Sequence, residues 1–514
     1  MTEVSLPALI EQMLQPEFYP HEVTESIQLI QTHVSYVLLT GDYAYKLKKP
    51  VNFGFLDFST LEKRQHFCQE ELRLNQRGAG ELYLEVLAIA LVGEQYKLGN
   101  TGEPVEYVLK MRQFPQDALL STLFEQGKLN EKHLDALGRV VAQYHAQAET
   151  NYYIRGFGEV PNVRAAFDEN YEQSENYIGG PQTQAQFIET KQYTDKFFAE
   201  RQDLFASRIQ NDYIRECHGD LHLRNIALWH DKILLFDCIE FNELFRFVDV
   251  MYDVAFTVMD LEARQRQDLG NAFLNSYIEQ TGDWEGLQIL PLYLSRQAYV
   301  RAKVTSFLLD DPSVPATEKE EATKTAGDYY KQAWEYTKPK QGQLILMSGL
   351  SGSGKSTTAR LLARQLGAIH LRSDAVRKHL GGIPLWEKGG DDLYTPEMTE
   401  KTYTRLLSLG IILANQGFSV ILDAKYDKQQ LRQEAIAQAK KHQLPLQIIQ
   451  CTAPLEVLQD RLNKRTGDIA DATADLLDSQ LKQAEAFTEE EQSYIKILDT
   501  TQSREAQLKA VIPQ

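Results

Sequence analysis

Two segments of this chain carry residue types that handle phosphate, and they do so by different means. In Gly349-Leu-Ser-Gly-Ser-Gly-Lys-Ser356 the glycines free backbone N–H groups to wrap phosphate oxygens, and a lysine and a hydroxyl follow where a helix-like stretch begins. In His218-Gly-Asp-Leu-His-Leu-Arg-Asn225 a carboxylate and an amide are spaced as a base and a metal ligand around a reacting phosphoryl group would be.

The first segment, Gly349-x4-Gly354-Lys355-Ser356, matches the P-loop pattern in full. It predicts phosphate contacts from Gly349, Ser351, Gly352, Ser353, Gly354, Lys355, Ser356 and Thr357. Lys355 reaches the β- and γ-phosphates, and Ser356 places its hydroxyl on Mg2+. Phe418-Ser-Val-Ile-Leu-Asp423 reads as an apolar strand ending in a carboxylate, the form of a Walker-B position, so Asp423 is expected to hold Mg2+ through water.

In Ile369-His-Leu-Arg-Ser-Asp374-Ala-Val-Arg377 a strand runs to Asp374, with an arginine one helical turn later, at the mouth of a parallel sheet where such folds bind ligands. Asp374 would accept a hydroxyl proton and Arg377 would hold a phosphate. The alternative for Asp374 is a plain helix N-cap. Arg461 and Arg465, four apart, share a face if their segment is helical, and would then close over the triphosphate as a lid; a solvated basic face is the other reading. Together these residues resemble the small P-loop kinases similar to gluconate kinase and to the kinase domain of polynucleotide kinase, over roughly residues 342–514. The resemblance implies the same roles for Lys355, Ser356, Asp374, Arg377, Arg461 and Arg465.

The second segment, His218-x-Asp220-x4-Asn225, has the spacing of a protein-kinase catalytic loop, and Lys232-Ile-Leu-Leu-Phe-Asp237 follows as a strand ending in a carboxylate. This wording resembles the aminoglycoside phosphotransferase and choline kinase branch of the protein-kinase-like fold, over roughly residues 20–335. It implies Asp220 as catalytic base and Asn225 and Asp237 as metal ligands, with His218 and His222 organising the loop. Arg246-Phe-Val-Asp249-Val-Met-Tyr-Asp253 resembles the segment that buttresses the metal-binding strand.

Such a site needs a strand lysine and a helix glutamate to anchor the α- and β-phosphates. A hairpin turning at Gly41-Asp42 puts Lys46 and Lys48 on one strand face, with Lys46 preferred as the anchor. Its partner is Glu70 or Glu71, Glu70 being assigned to the cofactor set, on a helix opened by the capping-box pattern Ser59-Thr-Leu-Glu62. No Gly-x-Gly-x-x-Gly precedes Lys46; only Gln31-Thr-His33 joins the strand-like runs there.

The elements that position these residues follow from length and pattern. A chain of 514 residues implies two or three domains. Helical text from about Asp260 to Tyr336 ends at Thr337-Lys-Pro-Lys-Gln-Gly342, and Leu344-Ile-Leu-Met347 reads as a buried first strand. The expected architecture is an α+β protein-kinase-like domain over 1–338 and an α/β P-loop domain with a parallel sheet over 341–514.

Residues 341–514 carry 21 Lys+Arg and 21 Asp+Glu, so the whole net charge of −18 belongs to the preceding part. That acidic half suits a cationic acceptor, and the neutral half admits a sugar acid or a nucleic-acid end; no extended nucleic-acid surface is expected. Cys68, Cys217, Cys238 and Cys451 lack metal-ligand spacing and point to a reduced, cytoplasmic setting. The beginning of the chain, with Glu3, Glu11 and Glu17, does not read as a signal peptide, and no apolar run is long enough for a membrane span. The functional expectation is a two-site phosphotransferase using ATP, with GTP as the alternative nucleotide, and Mg2+, acting on a small-molecule hydroxyl or a nucleic-acid end. The alternative is a nucleotide-sensing regulatory protein in which one domain is a weak switch.

Overall fold

The computed structural model describes residues 6–23, 25–99 and 102–511; Glu3 lies outside them. The chain forms two compact units, Met1–Leu129 with Gln143–Ala166 and Arg201–Thr257, and Asn130–Ala142 with Phe167–Glu200 and Val258–Gln514. The break expected at 338–341 therefore falls inside the second unit. The reason is local: the Asn271 and Asn275 amides both donate to the Ala368 carbonyl, at 2.9 and 3.0 Å, and tie the helix Gln267–Thr281 to the P-loop sheet.

The first unit is built on a six-stranded antiparallel sheet of β1 (Gln28–Gln31), β2 (Ser35–Leu39), β3 (Tyr43–Lys48), β4 (Tyr83–Val92), β5 (Gln95–Leu98) and β6 (Pro104–Arg112), in the order β1-β2-β3-β6-β4-β5. Leu38, Tyr45, Leu47, Ile89 and Val108 pack from it against Ile10, Met13 and Tyr19. The turn at Gly41-Asp42 takes φ 98° at the glycine, and β2 pairs with β3 in the expected register. Only residues 32–34 separate β1 from β2, so the link that would cover a nucleotide is a tight turn without glycine.

The helix Leu61–Ala79 packs on β4 and β6. Its N-cap is Thr60, whose hydroxyl accepts the Lys63 amide; Ser59, the expected cap, instead bonds Asp57. Further along, β7 (Ile214–Glu216) pairs with β10 (Phe247–Asp249), and β8 (Ile226–Trp229) with β9 (Lys232–Leu235), which places Asp237 two residues past a strand end.

The second unit contains a five-stranded parallel sheet of β11 (Gln343–Ser348), β12 (Ile369–Arg372), β13 (Ser419–Asp423), β14 (Leu446–Thr452) and β15 (Ile495–Asp499), in the order β12-β13-β11-β14-β15. Its strands read as apolar runs because both faces are covered. Ile345, Met347, Ile421, Ile449 and Leu498 pack against Leu362 of the helix Lys355–Leu366, each large aliphatic contributing about 1.5–3 kcal/mol by burial. The helical stretch expected from 260 to 336 is present, with Leu290–Ser306 packed on Ala316–Tyr336. Among the described residues no helix is long and apolar enough to cross a membrane.

Candidate active sites

The P-loop leaves β11 at Ser348 and turns through Gly349, Gly352 and Gly354 at φ 135°, 78° and 88°. A Cβ on Gly349 would stand 2.5 Å from the Cys451 carbonyl oxygen, so both conformation and space exclude a side chain there. Gly354 is the N-cap of the helix Lys355–Leu366 and offers no capping side chain, which leaves the first helical amides free for an anion.

Within the loop Lys355 Nζ donates to the Leu350 carbonyl at 2.7 Å. The Ser353 hydroxyl is buried and has no hydrogen-bond partner. Gln480 accepts the Ser351 amide and donates to the Ser351 hydroxyl, both at 3.0 Å. Thr357 is exposed on the first turn. An orphaned hydroxyl in a glycine cradle with a lysine at its base fits a bound phosphate.

Beside the loop two carboxylates divide. Asp423, at the end of β13, is buried, yet it accepts His370 Nε2 at 3.0 Å and has Arg372 Nε at 4.0 Å. Burial pushes its carboxyl up, but His370, Arg372 and a hydrogen bond from Ser356 outweigh that and hold it at about 2. A permanently ionised carboxylate next to a serine hydroxyl is the oxygen donor set that suits Mg2+.

Asp374 goes the other way. Burial raises its carboxyl above the ordinary range; Arg372 opposes this, while Asp423 and Asp468 reinforce it. The same burial thus drives the two neighbouring carboxylates apart, one up and one down, according to the charges beside each. Burial likewise lowers the Lys355 ammonium, against the pull of Asp423.

Several expectations need correction here. β12 ends at Arg372, and Asp374 is the second residue of the helix Ser373–Gly381, whose N-cap position is Arg372. Asp374 is thus not a cap. Arg377 is buried, donates to the Leu393 carbonyl at 2.8 Å and the Thr399 hydroxyl at 3.2 Å, and sits 5.2 Å from the Tyr394 ring. The guanidinium acting most strongly on Asp374 is Arg372, which in sequence is an ordinary strand residue with no local signal.

Arg461 and Arg465 do not share a helix face, because the helix Leu455–Lys464 stops one residue short of Arg465, whose backbone is extended. Arg461 reaches the P-loop, donating to the Gly352 carbonyl at 3.3 Å and to Thr500 at 2.9 Å. Arg465 bonds the Ala472 carbonyl.

In the first unit the scattered residues converge. Lys46 pairs with Glu71 at 2.7 Å and with Asp237 at 2.9 Å, and Lys48 pairs with Glu71 at 2.6 Å and with Glu240. Burial alone would lower Lys46, but Asp237 and Glu71 hold it well above the usual lysine value. Glu70 is not the partner: it lies one residue off that helix face and pairs with Arg73 at 2.8 Å. Period-3.6 geometry decides between adjacent glutamates, and it selects the buried one.

Asn225 Nδ2 donates to the Asp220 carboxylate at 3.0 Å, and His222 Nε2 lies 3.4 Å from the same oxygen, Oδ2. Asp237 takes a left-handed φ of 62°, rare outside glycine and a mark of a backbone held by its surroundings. Its carboxyl is held below the ordinary range, chiefly by Lys46. The buttress is structural as expected: Asp253 accepts the His218 and Gly219 amides at 2.7 and 2.8 Å, and Asp249 pairs with Arg208 at 2.6 Å. A strand lysine on a helix glutamate, with Asp220, Asn225 and Asp237 following in this order, is the layout of the protein-kinase-like fold.

Uncharacterized protein Rv2004c of Mycobacterium tuberculosis is 32% identical over 462 residues, covering 89% of this chain and 90% of that protein. The chain belongs to the family of that protein. Residues 344–488 of this chain match the AAA_33 family, an AAA domain, which takes in the P-loop, Asp374, Asp423 and Arg461. Among solved structures, a gluconokinase from Sinorhizobium meliloti is 21% identical with a TM-score of 0.25, covering 33% of this chain and 90% of its own. A choline/ethanolamine kinase family protein from Mesorhizobium loti is 10% identical with a TM-score of 0.38, covering 64% of this chain and 97% of its own.

Proposed function

We propose that the protein is an ATP-dependent phosphotransferase, with GTP as the alternative nucleotide, in which residues 341–514 transfer a γ-phosphate to a hydroxyl. One observation supports this most: Asp374, pushed up by burial, and Asp423, held at about 2, flank a glycine cradle that ends in Lys355 and Ser356. In this reading the loop amides and Lys355 hold the phosphates, Asp374 takes the acceptor proton, and Arg461 neutralises charge as it develops. Ser356 and Asp423 would hold Mg2+, which when bound supplies charge neutralisation at the β- and γ-phosphates. Arg377, fastened to the 393–399 segment, would shape the acceptor pocket, and Arg465 would steady the lid.

Residues 1–338 form the second phosphotransfer site in this proposal. Lys46 and Glu71 anchor, Asp220 is the base, and Asn225 and Asp237 hold the metal. A weak, nucleotide-sensing role for this half has one observation in its favour, the glycine-free turn at 32–34. The acceptor is a small molecule or a nucleic-acid end.

The test is Asp374→Ala in the full chain, assayed with labelled ATP against panels of aminosugars, sugar acids and oligonucleotide ends. Acceptor-dependent ADP formation should fall ~10²- to 10⁴-fold with nucleotide affinity nearly unchanged. Turnover at the parental rate would remove Asp374 from the base role.

A further inference from the structure

The second unit also holds a cavity of about 330 Å³ that the phosphotransfer reading does not use. It runs beside β12, the edge strand of the parallel sheet, and is lined from the helices Glu131–Gln147, Gln267–Thr281 and Lys355–Leu366. Four guanidinium groups line it, those of Arg139, Arg360, Arg364 and Arg372, together with the carboxylates of Asp135, Glu279 and Asp468, and Glu131 stands behind Arg364.

The pairing inside the cavity is incomplete. Arg364 pairs with Glu131 and with Asp135 at 3.3 Å, and Arg372 with Asp468 at 2.5 Å and Glu279 at 3.6 Å. The Nε–H of each is buried without a hydrogen-bond acceptor and closed to the cavity's solvent, that of Arg372 standing 4.0 Å from Asp423 Oδ2. Arg139 and Arg360 have no carboxylate at ion-pair distance among the described residues. Arg139 lies over the Trp386 ring at 5.8 Å, and Trp386 is 53% exposed although its indole N–H is fixed to Gln280 at 3.2 Å.

We propose that this cavity is a second ligand site, for an organic phosphate of mononucleotide size. Its anionic group would meet the guanidinium groups of Arg139 and Arg360, which no carboxylate pairs among the described residues, and its ring would lie on Trp386. Guanidinium forks match phosphate oxygens in pairs, an aromatic face suits a planar or ring-shaped body, and the volume lies within the range of small-molecule sites. The ligand is either a free nucleotide or the phosphorylated product of a kinase.

Occupancy would be felt at the P-loop, because Arg372 also stands 4.0 Å from Asp423 and holds Asp468, three residues past Arg465.

The experiment is isothermal calorimetry on the full-length protein with AMP, glucose 6-phosphate and inorganic phosphate. It compares the parent with Lys355→Ala, with Arg139→Ala/Arg360→Ala and with Trp386→Ala, each checked by thermal melting. One organic phosphate should bind one-to-one in Lys355→Ala and lose at least tenfold in affinity in the double arginine variant. Trp386→Ala should weaken it without altering inorganic phosphate binding, and serves alone if the double variant melts early. AMP as the ligand identifies a nucleotide source, and glucose 6-phosphate a product source. Binding that Lys355→Ala abolishes, binding that the arginine and tryptophan variants retain in full, or no saturable binding of either organic phosphate would each overturn the proposal.

Discussion

As proposed, the P-loop site and the Lys46–Asp237 site grip the same chemical group, but they draw on different parts of the polypeptide. In the P-loop the gripping atoms are mostly backbone amides, freed by three glycines at positive φ within six residues. In the first unit they are side chains, brought from positions 46, 71, 220, 225 and 237 by a sheet, a helix and a loop. A backbone cradle is stabilised by its own loop and the helix it opens. A side-chain cradle depends on burying charges together, and Lys46, Lys48, Glu71 and Glu240 do so with side chains 1–18% exposed. The consequence is that one site should be sensitive to glycine substitutions and the other to the loss of single charges.

Separating the two sites gives the largest expected effect. Lys355→Ala should cut ATP consumption at the P-loop by ~10³-fold or more and spare transfer by the first unit, and Asp220→Ala should do the reverse, as followed with labelled ATP. If Asp220→Ala alone removes all turnover, the P-loop site does not transfer phosphate on its own. EDTA should silence both, and added Mg2+ should restore both; turnover that persists in EDTA would remove Asp423, Asn225 and Asp237 from metal binding.

Next comes charge burial. Lys48→Met leaves Glu71 and Glu240 buried with less compensation and should destabilise by ~3–5 kcal/mol, read as a lower denaturation midpoint. Lys46→Met, whose partner Asp237 is half exposed, should cost less stability but raise the KM for ATP at the first site. Equal melting shifts would contradict the distinction drawn between the two lysines.

Backbone strain in the P-loop should be smaller in energy but selective. Gly349→Ala forces a side chain to φ 135° against the Cys451 carbonyl and should cost ~1–3 kcal/mol while weakening nucleotide binding. A variant with parental nucleotide affinity would show that the loop tolerates a Cβ there.

The smallest effect is a shift in pH dependence. Asp374 must be ionised to accept a proton, and burial raises its folded pKa, so kcat/KM should fall as pH drops through a value above the ordinary ~3.9 of aspartate. Asp423, held at about 2, stays ionised throughout that range. An acid limb at or below the ordinary value would argue against Asp374 as the base.

How much was legible in the sequence differs by site for the same reason. The P-loop and its strand–loop–helix context were readable because the motif is contiguous and each glycine answers to a local backbone need. The catalytic-loop spacing was readable too, since Asp220 and Asn225 sit on one turn of chain. Arg372 and His370 were not: they lie on a strand as ordinary residues until β12 pairs with β13 and sets them against Asp423. Glu71 could have been found by asking which glutamate faces the buried side of its helix, whereas Gln480 on the Ser351 amide carried no local signal.

By itself the sequence determined the two phosphate-handling motifs, the hairpin at Gly41-Asp42, the apolar strands that open and follow the P-loop and the glycine-free turn before Lys46, because these depend on short-range conformation and hydrophobic periodicity. Only the tertiary structure decided which glutamate takes Lys46, which arginine governs Asp374 and Asp423, and where Arg461 points. It also grouped the helix Gln267–Thr281 with the P-loop sheet through Asn271 and Asn275. Those outcomes rest on burial and on charges far apart in the chain, and a charge acquires its partner and its pKa only when the fold removes water from around it.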